Sequence, residues 1–104
     1  MEDPSLKFQM IVQNEARLDR DRALVAFMRA RIAERAEAAD KHEHLLLVGV
    51  QRVLDAFDAQ FEHAAQAQRA DGVPEYADAL GWSLRCTAFA AFSGHPDFRM
   101  DFKP

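Results

Sequence analysis

Apolar residues recur along this chain at helical spacing, and breakers divide it into blocks. Residues 22–39 are rich in Ala, Arg, Glu and Leu and contain no Gly or Pro, which predicts a helix. Ahead of it, Asp3-Pro4 reads as an N-cap followed by Pro at the first helical position. Leu6, Phe8, Met10 and Val12 alternate as in a strand, while Ile11, Leu18, Val25, Ile32 and Ala39 repeat every seven residues as in one long helix. Helix is favoured. Either 4–39 forms a single element, or Asp19-Arg20-Asp21 breaks it into helices at about 4–18 and 22–39.

Asp40-Lys41-His42-Glu43 reads as a capping box, with Asp40 accepting from the backbone of residue 43 and Glu43 reaching back. A helix over 41–69 follows. Its Leu46, Val50, Val53, Leu54, Phe57, Phe61 and Ala64 fall on one arc at 100° per residue. Gly72-Val73-Pro74 ends that block, and a further helix is expected over 75–92. Ser93-Gly94-His95-Pro96 stops it, with Gly94 expected as a left-handed cap and a tail over 93–104 carrying Phe98 and Phe102. The reading is a single all-α domain, 1–104, built as a three- or four-helix bundle.

Two apolar surfaces exceed what so few helices can hide. In the last helix Leu80, Leu84, Ala88 and Ala91 share one face, and Trp82, Cys86 and Phe89 share the opposite one. Either that helix is enclosed by its own fold, or one face meets a partner, since Trp and Phe anchor interfaces. Leu45, Leu46, Leu47 and Val48 surround a helix completely, so that turn is either central or at an interface. A continuous 4–39 helix would be ~54 Å long, against a radius of gyration of ~13 Å for a compact chain of this length. It would overhang the rest and call for a second chain, most simply in a homodimer. Leu45, Leu47, Val48, Trp82 and Phe89 are therefore the expected contacts for a protein partner or a second copy.

Composition narrows the classes. Lys plus Arg is 13, Asp plus Glu is 17 and the net charge is −4, which disfavours non-specific attraction to nucleic acid or anionic membrane. One cysteine, Cys86, implies no disulfide framework. The N-terminal residues lack the basic and apolar regions of a signal peptide. The longest apolar run is far too short to span a bilayer, so a cytoplasmic location is expected.

No constellation of catalytic residues or cofactor ligands is expected. His42 and His44 diverge on a helix. Asp55, Asp58 and Glu62 form an acidic stripe expected to face solvent, and His44 lies ~16 Å from Asp55 along the axis, so no metal site is expected. Cys86 reads as a small hydrophobe. His95 and Asp97 could touch a ligand, but a helix stop with a tucked aromatic explains that segment more simply. The alternative function is nucleic-acid binding through Arg22, Arg29, Arg31 and Arg35. Against it, Glu15, Asp19, Asp21, Glu34 and Glu37 interleave with those arginines, as on a solvated helix.

Three blocks occur in order: Ala23-Leu24-Val25-Ala26-Phe27-Met28-Arg29-Ala30-Arg31-Ile32, then Gln51-Arg52-Val53-Leu54-Asp55-Ala56-Phe57, then Leu84-Arg85 with His95-Pro96-Asp97-Phe98 through Phe102-Lys103-Pro104. In this the chain resembles the small family of actinobacteria and their phages known as domain of unknown function 6221. Its members have a Leu-Val-x-Phe/Trp-Leu helix, an Arg-Val-Leu helix and a His-Pro tail ending in an aromatic and Pro. The segment up to about Arg20 is extra here, and a Trp-containing stretch between the first two blocks is missing. The resemblance implies a host group and no mechanism.

Overall fold

The computed structural model describes residues 4–71 and 78–104, with the backbone alone at 4, 5, 7, 68–71 and 78–80. Asp3, the breaker Gly72-Val73-Pro74, the expected helix start at Glu75 and the Leu80 side chain lie outside what is described. Among the described residues the chain is all-α. Helix α1 spans Pro4–Ala38, α2 Lys41–Asp71 and α3 Asp78–Phe92, and a 3-10 turn covers Met100–Phe102.

Helix α1 runs unbroken through Asp19-Arg20-Asp21, so the two-helix alternative for residues 4–39 does not hold. The helix carries through these charges, and Asp21 turns inward and is fully buried. At ~1.5 Å per residue its 35 residues span ~52 Å. The molecule is accordingly a rod of 60 × 26 × 17 Å with a radius of gyration of 16.1 Å, well above the ~13 Å of a compact chain of this length.

A two-residue link, Ala39 and Asp40, turns α1 into α2. Asp40 Oδ1 accepts from the Glu43 backbone N–H at 2.8 Å, and the Asp40 carbonyl accepts from His44 N–H at 2.9 Å. Half of the expected capping box is thus made. The Glu43 carboxylate instead pairs with the Arg35 guanidinium across the hairpin. That hydrogen bond, and then the Glu43 charge, raise the Arg35 pKa above its ordinary value.

Helix α2 runs antiparallel to α1, because Arg22 pairs with Glu62, Arg29 with Asp55 and Arg35 with Glu43. Helix α3 runs parallel to α1, with Arg85 beside Asp21 and Phe92 beside Phe27. The topology is up-down-up, and α1 is the element on which α2, α3 and the 3-10 turn all pack. The core joins Leu18, Leu24, Val25 and Met28 of α1 to Leu54, Phe61 and Ala65 of α2 and Leu84 and Ala88 of α3. Burying those side chains, at ~1.5–3 kcal/mol for each large one, is what holds the rod together.

The end of α3 differs from expectation. Gly94 does not take a left-handed backbone. Ser93 N–H donates to Phe89 O at 3.1 Å and His95 N–H to Phe92 O at 2.9 Å, so tight turns close the helix. The tail then folds back onto α1. Phe27 meets Phe92, His95, Phe98 and Phe102 with ring centroids 5.5 to 5.8 Å apart, mostly in the edge-to-face geometry that aromatic quadrupoles prefer.

Candidate interaction surface

Asp21 and Arg85 set how α3 sits on α1. Arg85 Nη1 donates to Asp21 Oδ1 at 2.8 Å and to Oδ2 at 3.0 Å, and both side chains are nearly or wholly buried. Arg20 adds Nε to Oδ1 at 3.1 Å from the rim. Gly81 makes room for this pair: a Cβ there would lie 2.0 Å from Asp21 Oδ2 and 2.9 Å from Arg85 Nη1. A buried ion pair needs this density of bonds to offset its desolvation. With Arg85 drawn inward, Trp82 and Phe89 are left on the outside of α3.

Each expected contact residue can now be placed. Trp82 is 55% exposed and Phe89 40%, though Phe89 keeps its ring 6.3 Å from Phe98. Leu45 is 64% exposed and Val48 40%, whereas Leu47 is half-buried. Leu47 precedes Leu54 and Phe61 by one and two heptads, so it continues the seam facing α1. Trp82 and Leu45 stand well apart along the rod: Arg85 lies level with Asp21 and Glu43 level with Arg35, 14 residues of α1 apart, or ~21 Å.

Sequence reasoning missed another feature. Leu46, Val50 and Val53 are exposed, although they fall on the same arc as Leu54 and Phe61. Among the described residues of α2 only the narrow strip through Leu54, Phe61 and Ala65 is buried, and these three large side chains remain on its shoulder. The signal was present in the heptad spacing of Leu47, Leu54 and Phe61, which marks the true seam. At the far end of α1, Phe8 and Val12 are exposed and border an apolar hollow of about 250 Å³ with Gln9 and Gln13.

The arginines expected for nucleic acid are all engaged. Arg22 pairs with Glu62, Arg29 Nη2 with Asp55 at 2.7 Å and Asp58 at 3.8 Å, and Arg35 with Glu43. Arg31 contacts Glu34 at 2.9 Å and Asp97 at 3.5 Å, lies 3.0 Å from His95 Nδ1, and stands 4.9 Å over the Phe27 ring. Asp55, Asp58 and Glu62 stand half-exposed, on the solvent-facing side expected of them, and from there reach the α1 cations. The same contacts place His95 and Asp97 against α1. Cys86 is a free, half-buried thiol. Ala91, expected on the inner face of α3, is exposed.

Among the described residues, no three His, Cys, Asp or Glu side chains converge as metal donors. No described helix is long and apolar enough to cross a membrane. Comparison with protein-family models, with curated proteins and with solved structures finds no match.

Proposed function

We propose that the chain is a non-catalytic interaction or assembly module that acts through apolar helix faces on a second polypeptide, in the cytoplasm. One observation carries this reading: large apolar side chains at Leu45, Leu46, Val50, Val53 and Trp82 stand in solvent on a narrow rod. Scattered exposed aliphatics are ordinary, but clustered ones mark contact surfaces. The three sequence blocks support placing the chain with the uncharacterised actinobacterial and phage family, which supplies no activity.

The test is molar mass, for the purified chain and for the chain in cell lysate. We expect a species larger than the 11.8 kDa chain. Trp82→Ala should weaken the species formed in lysate by ~30-fold if Trp82 anchors a contact worth ~2 kcal/mol with another protein, with helicity unchanged. A species of monomer mass in both settings would sink the reading.

The ion pairs weigh against the nucleic-acid alternative, because Arg22, Arg29, Arg31 and Arg35 are already neutralised within the chain. No retardation of duplex DNA or RNA is expected even at low salt. Salt-sensitive retardation that Arg29→Ala weakens would revive that alternative.

A further inference from the structure

Helix α2 carries a second heptad seam beside the one that faces α1. Leu46 and Val53 are seven apart, and Gly49 and Ala56 fill the intervening positions, also seven apart. All four are exposed, as is Val50 on their flank. Over residues 44–54 the only charged side chain is Arg52. Nothing lies within 4 Å of the position a Gly49 Cβ would take. The chain thus builds an apolar helix edge, with a gap in it, and no described residue covers either.

Resting on the interaction reading above, we propose that this edge is occupied by the same edge of a second copy, with the two α2 helices antiparallel about a two-fold axis near residue 51. The size pattern selects the partner and its direction. In antiparallel layers Leu46 meets Ala56 and Val53 meets Gly49, a large side chain against a small one at every level. In a parallel pair Leu46 would face Leu46 and Gly49 would face Gly49, leaving layers alternately crowded and empty. Self-pairing is isologous, so it closes at two copies.

The area sets the affinity. Leu45, Leu46, Val50 and Val53 can each give up roughly 50–100 Å². With the small residues and the polar rim, the footprint is roughly 500 Å² per copy, or ~1,000 Å² in all. That is the lower limit of specific interfaces, so the dimer is a micromolar, reversible one. Arg52 flanks the axis and faces its own copy, so added salt tightens the dimer by screening that repulsion.

Disulfide trapping on a Cys86→Ser background tests the arrangement. A mixture of Leu46→Cys and Ala56→Cys chains should cross-link to a dimer. Leu46→Cys alone should not, because the two copies of residue 46 would lie ~15 Å apart along the axis, beyond the ~7 Å limit between bridged Cα atoms. Gly49→Leu fills the gap from a Cβ position that has no described atom within 4 Å. It should abolish the dimer, measured by sedimentation, while leaving helicity unchanged. Cross-linking of Leu46→Cys alone, or a dimer indifferent to Gly49→Leu, would overturn the α2 pairing and leave the interaction reading standing. A purified chain that is monomeric up to millimolar concentration, yet of higher mass in lysate, would give the edge to a different protein and overturn self-pairing alone. Monomer mass in both settings would remove both.

Discussion

Replacing Gly81 by Ala adds one methyl group where the structure has no room for it. The new carbon would sit 2.0 Å from Asp21 Oδ2, 2.7 Å from its Cγ and 2.9 Å from Arg85 Nη1. None of these can yield cheaply, since Asp21 is 0% exposed and Arg85 3%. Either α3 moves off α1 or the ion pair opens, and opening a buried pair costs ~3–5 kcal/mol. Ala is a better helix former than Gly by ~1 kcal/mol, which offsets part of that. The expected net loss is ~2–4 kcal/mol, a large share of the ~5–15 kcal/mol that holds a domain folded. Urea unfolding followed by circular dichroism, at one protein concentration, should show the midpoint falling by ~1–2 M. Gly49→Ala and Gly94→Ala are the controls, because neither Cβ meets anything within 4 Å. Gly49→Ala should raise stability by ~0.5–1 kcal/mol, the usual helix-interior gain. A Gly81→Ala chain as stable as wild type would refute the claim that glycine seats the ion pair.

Other outcomes follow from the same contacts. Phe27→Ala removes the ring that Phe92, His95, Phe98 and Phe102 surround. It should cost ~3–5 kcal/mol and speed tryptic cleavage at Arg99, with an unchanged cleavage rate counting against the packed tail. Arg29→Ala breaks a half-exposed pair with Asp55 and should cost no more than ~1 kcal/mol. A loss as large as that of Gly81→Ala would mean the hairpin flank carries far more than surface electrostatics allows.

Local chemistry was legible in the sequence, and long-range pairing was not. The all-α class, the helix ending at Ala38 and the Asp40 cap follow from composition, breakers and capping residues, which act within a few positions. That α1 continues past Asp19-Arg20-Asp21 was carried by the seven-residue repeat of Ile11, Leu18, Val25 and Ile32, but the burial of Asp21 against Arg85, 64 residues away, was not. No periodicity announces such a partner. The exposure of Trp82 and Leu45 was one of two outcomes that counting faces against helices left open. The exposure of Leu46, Val50 and Val53 was not, since an arc of apolar residues does not say how wide a strip its neighbour covers. The wheel placed the carboxylates of Asp55, Asp58 and Glu62 toward solvent, where they stand half-exposed, but it left unnamed the α1 arginines beside them.

The Asp21–Arg85 pair also fixes alignment. Away from the Phe27 cluster, Leu84 and Ala88 offer α1 a greasy contact that by itself resists one turn of sliding, ~5.4 Å, only weakly. Such a slide would strand a carboxylate and a guanidinium in dry surroundings, which greasy contacts alone never forbid. A chain with both Asp21→Leu and Arg85→Met should therefore hold or gain stability while its amide spectrum splits into more than one docked form; a single set of peaks would show that shape alone suffices. The buried Asp21–Arg85 contact between the third helix and the first thus works as an index mark, telling the third helix where along the first it must stop.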